Sequence, residues 1–342
     1  MCLFYKMKRV LIISNPQDEH TKYVVEKIRD LGAEPCLFYP ENLGKGFSVT
    51  LADSAITQEF ICTFVAEERK MNFADFYSVW FRRPRLVAHE NGKPNSEGIE
   101  FIRDEWRSLL EAIYALMKNS LWVSHPDKLR EAARKPVQFF IAHELGLNTP
   151  PTLITNNAGE AKEFFRACSG KIICKPTGSG WIYSSDGKSV RYVLTNRVLE
   201  SHFEADEEIS TAPVTFQEEI SKAYEVRANV IGQEILAVKI DSQRSELSKL
   251  DWRRYDVRNT PYSAYQLPKE IEEKCLKLAY RLGLEFGAID LIRQPDGEYI
   301  FLEINGNGQF LWAEDLSGVK VSESLARLLA GITHPLKSAS FT

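Results

Sequence analysis

No uninterrupted apolar segment of the 342-residue chain reaches the roughly 18 residues that cross a bilayer. The opening MCLFYKMKRVLIISN lacks a secretory-signal layout, because its apolar run feeds a strand-like segment. A cytoplasmic location is therefore expected. The chain also has no CxxC pair. Its six cysteines (Cys2, Cys36, Cys62, Cys168, Cys174, Cys275) are scattered, which argues against a zinc knuckle or a disulfide framework and predicts reduced, mostly buried thiols. There is no HExxH among the six dispersed histidines, and no GxGxxG after the first strand-like run, so neither a zincin nor a dinucleotide fold is supported. Charge of one sign is lacking too. Lys+Arg 43 against Asp+Glu 47 leaves a net charge of −4, which argues against a general nucleic-acid binder without excluding a local basic groove. No internal repeat or low-complexity tract is visible.

What is present reads as a soluble globular protein, 44% hydrophobic and 26% charged, and long enough for two or three packed subdomains. Arg9–Asn15 is a β-branched run, a helical stretch follows from Asp18 to Leu31 and ends at Gly32, and Pro35–Tyr39 is a second strand. This is the β-α-β opening of an α/β domain. The segment VWFRRPR gathers Arg82, Arg83 and Arg85 beside Trp80 and Phe81. Packing at a subdomain interface and contact with an acidic peptide are its two readings, and packing is favoured. Phe101–Met117 carries apolar residues at helical spacing.

The stretch with the densest chemistry is Phe286–Trp312. Two apolar runs flank Pro295, Asp296 and Gly297, which predicts a β-hairpin. With Asp296-Gly297 as a two-residue loop, Asp290 falls directly opposite Glu303, and Asn305 follows on the same face. Two facing carboxylates near a core repel unless one is protonated or a cation lies between them. Two carboxylates and an amide oxygen suit Mg²⁺ held together with a substrate phosphate. The alternative is a buried acid pair satisfied by a lysine or arginine.

Several segments upstream supply compatible groups. Lys135 opens a helix running to about Leu145, where it opposes the helix dipole and wants an anionic partner; plain solvation is the alternative. The strand Lys171–Lys175 ends in a lysine and leads into Thr177-Gly178-Ser179-Gly180, whose small residues allow backbone N–H groups to approach phosphate, although an ordinary turn is the commoner meaning. Val214–Glu218 is a strand running out into Glu219 and Ile220. A hairpin about Gly232-Gln233 places Glu225, Arg227 and Asn229 on one face, which marks a site or a solvated sheet face. Asp241–Thr260, polar and aperiodic, reads as a mobile loop or lid.

The order Lys135, Lys175, the glycine loop, FQEEI, Arg227, Asp290 and the Glu303/Asn305 pair resembles the ATP-grasp ligases. Over nearly the whole chain, VWFRRPR, KPVQFFIAHELGLNTPPTL, TFQEEISKAYEVRANVIG, the DWR of Asp251–Arg253 and GAIDLIRQPDGEYIFLEIN are similar to the graspetide (microviridin-type) peptide-macrocyclising ligases. GNGQFLW and the GSG loop depart from that pattern. The resemblance implies an α/β (α+β) ATP-grasp fold with an N-terminal pre-ATP-grasp domain, divided as 1–124, 125–213 and 214–342. It implies ATP and Mg²⁺ as cofactors. Lys135, Lys175, Gly178, Gly180, Gln217, Glu218, Glu219, Ile220 and Glu225 would bind the nucleotide, and Asp290, Glu303 and Asn305 the metal. A ribosomal precursor peptide, leader plus core, is the implied partner; nucleic acid and membrane are not, and a homodimer is compatible.

Such enzymes activate a side-chain carboxylate as an acyl phosphate, since oxide is an impossible leaving group, and then join it to a hydroxyl or amine. Arg227 and Arg253 would stabilise the developing charge, Asp251 is the candidate general base, and closure of the 241–260 loop would exclude water. The alternatives are a ligase acting on a small molecule or adding a free amino acid to a peptide end, a non-catalytic nucleotide- or leader-binding subunit, and a kinase on the same scaffold.

Overall fold

The computed structural model describes residues 7–44, 47–54, 59–66, 69–86, 98–178, 180–184, 190–204, 209–254 and 256–337. Cys2 and Ser179, singled out above, lie outside the described residues. Seven strands form the first third of the chain: β1 (Arg9–Ile13), β2 (Glu34–Phe38), β3 (Ser48–Ser54), β4 (Glu59–Ala66), β5 (Arg69–Asn72), β6 (Ser78–Phe81) and β7 (Leu121–Val123). The β-α-β opening holds, with the helix α1 at Glu19–Asp30 capped by the Asp18 carboxylate, which accepts from Thr21 N–H. β2, β1, β6 and β7 make a parallel sheet in that order. β3–β5 form an antiparallel meander beside it that sequence reasoning did not find. Phe38, Phe64, Phe73 and Phe76 pack between the two sheets, against the helix α2 at Ile99–Leu116.

The middle of the chain supplies a four-stranded sheet and a hairpin. β8 (Thr152–Thr155), β9 (Ile172–Pro176), β12 (Asn196–Arg197) and β13 (Val214–Glu218) pair in the order β12-β9-β13-β8, while β10 (Trp181–Tyr183) and β11 (Val190–Tyr192) pair separately. The last third builds an antiparallel sheet from β14 (Tyr224–Ile231), β15 (Glu234–Ile240), β16 (Tyr262–Tyr265), β17 (Phe286–Arg293) and β18 (Tyr299–Asn305), ordered β16-β15-β14-β17-β18. One face carries Val226, Ala228, Ile289, Leu291 and Phe301 onto the helices Lys135–Glu144 and Lys269–Arg281. On the other face, Ile231 and Phe286 join the helix Val321–Leu329 and the first sheet in a shared core.

The β17–β18 hairpin keeps Asp290 opposite Glu303, but by a different route from the one expected. Next to the turn Arg293 pairs with Tyr299, and Gln294 N–H donates to Glu298 O, so the loop is the three residues Pro295-Asp296-Gly297, with Gly297 at φ +111°. The register then shifts between Asp290 and Leu291, where a bulge absorbs one residue of β18. One residue gained at the turn and one absorbed at the bulge cancel. The bulge also aims both Leu302 and Glu303 into the cleft described below.

The segment 241–260 is the irregular loop expected, and several of its described side chains are packed away. Ser242, Ser245, Ser248, Asp251, Trp252 and Thr260 are buried. Ser248 Oγ donates to Ser242 O, and Trp252 stacks on Trp312 at 4.7 Å between ring centroids. Polar side chains close this segment by capping their own backbone, which leaves no hydrophobic period to read.

Phe301 is fully buried and meets Phe139 edge-on at 6.4 Å between ring centroids. Its replacement by Ala is expected to cost about 3–5 kcal/mol, read as a lower urea midpoint with an unchanged denaturant slope.

Candidate active site

A cleft opens between the β8/β9/β12/β13 sheet and the β14–β18 sheet. Its walls bring together Lys135, Lys175, Gly178, Glu225, Asp251 and Arg253 with the carboxylate pair Asp290 and Glu303, and the run Gln217–Ile220 borders it. Ile173, Ile220, Ile292 and Leu302 line the same space with aliphatic surface. Aliphatic and strongly charged surface thus share the lining. Gly180 lies outside the lining, at a turn with φ +74°. Arg227 and Asn305 do not line it either: Arg227 lies behind Asp290, and Asn305 is on an adjoining hollow that shares Lys135, Gly178, Arg253 and Glu303.

Strand register fixes the charged surface. Arg227 on β14 pairs with Asp290 on β17, which pairs with Glu303 on β18. Arg227 Nη1 donates to Asp290 Oδ1 at 2.8 Å in a nearly buried ion pair. Burial pushes the Asp290 carboxyl up and the Arg227 charge opposes it. Glu303 has a different environment. Lys135 Nζ lies 3.4 Å from its Oε2 and Arg253 Nη1 lies 3.5 Å from its Oε1. Burial alone would raise its carboxyl, yet Lys135, Arg253, Lys175 and Arg227 together hold it below the usual range. Lys135 thus has the anionic partner its place at a helix start called for.

Lys175 and Gln217 divide their work. Gln217 is buried; it donates to Thr152 Oγ1 at 2.8 Å and accepts from Lys175 Nζ at 2.9 Å, so its side chain aims the lysine. Burial, reinforced by Lys135, lowers Lys175 to about 8. Glu218 and Glu219 N–H are taken by Pro151 O and Lys171 O, and the Glu219 carboxylate turns outward to Arg197. Glu225, Arg227 and Asn229 do share a face, and that face is buried rather than solvated.

Two features were missed or read differently in the sequence. Lys222 Nζ donates to Glu225 Oε1 at 2.6 Å and to Leu250 O at 2.9 Å, joining the cleft wall to the packed 241–260 segment. Its only sequence signal was the i,i+3 spacing to Glu225. Glu225 Oε2 is buried without a hydrogen-bond partner among the described residues, and burial raises its carboxyl while Lys222 opposes the rise. Asp251, the candidate general base, is forked by Arg253, with Nε to Oδ1 and Nη2 to Oδ2 both at 2.8 Å. Burial pushes its carboxyl up, but Arg253 outweighs that and holds it at about 2. Both of its carboxylate oxygens are thus engaged by Arg253. Arg85 reaches Gln17, whereas Arg82 and Arg83 grip the turn after Asn305, the interfacial packing expected for VWFRRPR.

The Asp251–Arg253 fork sets a pH test. The Asp251 carboxyl titrates near 3.8 when unfolded and about 2 when folded, so its stabilisation is complete above 3.8 and is lost as pH falls through 2. Asp251→Asn is expected to cost about 2 kcal/mol at neutral pH, with the gap to the parent closing in acid. Urea unfolding at pH 7 and pH 3 measures it, and a gap independent of pH contradicts it.

Comparison with known proteins follows this geometry. Residues 133–329 match the RimK-like ATP-grasp domain. The chain is similar to a RiPP-associated ATP-grasp ligase from Chryseobacterium gregarium, solved in complex with ADP and a leader and core peptide (28% identity, TM-score 0.87, 96% of this chain and 98% of that one). It is also similar to the macrocyclase MdnC from Microcystis aeruginosa MRC, bound with its precursor peptide MdnA (29% identity, TM-score 0.83, 95% and 100% coverage). A curated relative, the alpha-aminoadipate–LysW ligase LysX of Sulfurisphaera tokodaii, is 22% identical over 189 residues, which span 53% of this chain and 62% of that protein. Among the described residues no helix is long and apolar enough to cross a membrane. The arrangement of lysines, glycine loop and facing carboxylates between two sheets, together with the match over more than half of the chain, establishes that this protein belongs to the RimK-like ATP-grasp family.

Proposed function

We propose that this protein is an ATP-dependent carboxylate ligase. It phosphorylates Asp or Glu side chains of a ribosomal precursor peptide and joins them to Thr or Ser hydroxyls or Lys amines, closing ester or amide macrocycles. The observation that carries the reading is the Asp290–Glu303 pair, set with Lys135, Lys175 and Arg253 in a cleft that also carries aliphatic surface. The full-length likeness to two ligases solved with peptides supports the peptide as substrate.

The donor set fits Mg²⁺. The ion pairs of Glu303, at 3.4 and 3.5 Å, are longer than hydrogen bonds and leave lone pairs available. Two facing carboxylates and an amide oxygen are hard donors of the kind that hold Mg²⁺ together with phosphate oxygens and water. Asp290, Glu303 and Asn305 would hold the ion, which would offset phosphate charge during transfer.

The nucleotide base and sugar would lie along Ile173, Ile220, Ile292 and Leu302, with Glu225 Oε2 available to a sugar hydroxyl. Gly178 would let backbone approach the phosphates, and Lys175, aimed by Gln217, and Lys135 would neutralise them. Transfer of the γ-phosphoryl group to the peptide carboxylate gives an acyl phosphate and ADP. Attack by a hydroxyl or amine then releases phosphate and a proton. Arg253, fixed by Asp251 and facing Glu303, would stabilise the charge that develops at transfer, and Arg227 would hold Asp290 ionised. The same reading carries a division at 1–124, 125–213 and 214–342, a cytoplasmic location, and room for a homodimer. The LysX likeness favours a second reading, addition of a free amino acid to a peptide or protein end.

Incubation with the peptide encoded beside the gene, ATP and Mg²⁺, followed by mass spectrometry, tests the reading: loss of one water per ring is expected, whereas gain of an amino-acid mass supports the second. Asp290→Asn and Glu303→Gln are expected to abolish product while the far-ultraviolet dichroism stays that of the parent; turnover in either would remove the metal assignment. Arg253→Ala is expected to lower kcat about 100-fold with a smaller change in KM for ATP. An unchanged kcat would take Arg253 out of the site.

A further inference from the structure

In a parallel α/β sheet the crevice that receives ligands lies beyond the carboxyl ends of the strands, where the strand order reverses direction. The order β2-β1-β6-β7 puts that reversal between β1 and β6. Asp18 follows β1 there, and Arg82 and Arg83 follow β6. The crevice holds a turn of the chain's own last third. Arg82 Nη1 donates to Asn307 O at 2.7 Å and Gly308 O at 3.0 Å, and its Nε donates to Asp18 Oδ2 at 3.2 Å. Arg83 Nη2 donates to Asn307 O at 2.8 Å. Phe310 N–H donates to His20 Nε2 at 3.2 Å, and the two rings meet edge-on at 4.7 Å.

Arg82 is 1% exposed and its Nη2 has no partner among the described residues, so the guanidinium is held at a desolvation cost that an apolar side chain would avoid. A buried fork aimed at two carbonyls of one turn fixes where that turn lies. The far side of the turn shows why its position matters. Asn305 begins it and accepts from Asn307 N–H at 2.9 Å. At Gly308 an added Cβ would lie 2.4 Å from Ala288 Cβ and 2.8 Å from Arg227 Nη2, so the turn is pressed against the arginine that pairs with Asp290. Arg227 Nη2 also approaches Gln309 O at 3.5 Å.

We propose that this crevice is a socket for the Asn307–Phe310 turn, and that Arg82 is a positioning residue that, through the turn, sets the Asn305 amide and the Arg227 guanidinium for the metal–phosphate site. The inference rests on the nucleotide and Mg²⁺ reading above. Its test compares ADP affinity, by calorimetry on the full chain, in Mg²⁺ and in EDTA. The parent is expected to bind ADP more tightly with Mg²⁺. In Arg82→Met that gain falls about tenfold, as for loss of a group that orients a metal ligand, with affinity in EDTA unchanged, and Arg82→Lys recovers part of it. Asp18→Asn, which removes the charge facing Arg82 and His20 while leaving an amide oxygen to cap α1, carries the same test in a smaller step should Arg82→Met fail to fold. Equal loss in Mg²⁺ and EDTA, or a lower melting temperature with the Mg²⁺ gain intact, overturns the positioning role and leaves the nucleotide reading standing. A parent whose ADP affinity ignores Mg²⁺ overturns both.

Discussion

Two carboxylates, Asp290 and Glu303, face each other across adjacent strands, and the rest of the site is arranged around the repulsion this creates. Arg227 neutralises one directly at hydrogen-bond distance, and Lys135, Arg253 and Lys175 hold the other ionised from farther away. The asymmetry has a chemical consequence. Asp290 is fixed by a strong pair inside the sheet, whereas Glu303 looks into the cleft with its oxygens incompletely engaged. Each cation comes from a different element: a strand, a helix start, a strand end and a packed loop. The charge balance therefore exists only when the two sheets and the helix Lys135–Glu144 are all in place.

The facing pair was legible because a hairpin's register follows from its turn and from alternation, both local. The register was nevertheless reached through two unseen departures that cancel, a third loop residue and a bulge at Leu302. Neither has a distinctive residue signature, since Asp-Gly serves two- and three-residue loops alike. The lysines, the glycine loop and the buried Glu225 face were legible as ordered residues, and the fold brings most of them to one cleft. The segment 241–260 was legible as a loop but its packing was not, because side-chain-to-backbone capping leaves no period, so a packed loop and an open one look the same on paper.

What the sequence hid most completely is long-range. The grip of Arg82 on the turn after Asn305 spans 225 residues, and nothing local distinguishes an arginine that holds a distant carbonyl from one that meets solvent. The same holds for Asp251. Its neighbour Arg253 is visible, but only the fold shows that the arginine forks both oxygens of the carboxylate. The N-terminal sheet, whose crevice in other α/β proteins awaits a ligand, here holds part of the chain that builds the catalytic cleft.

The central claim is that the site activates a carboxylate by phosphorylation, and oxygen transfer tests it most directly. With the precursor peptide labelled with ¹⁸O in its side-chain carboxylates, turnover with ATP is expected to place one labelled oxygen in each inorganic phosphate released, together with ADP. Unlabelled phosphate, or AMP in place of ADP, would contradict the account.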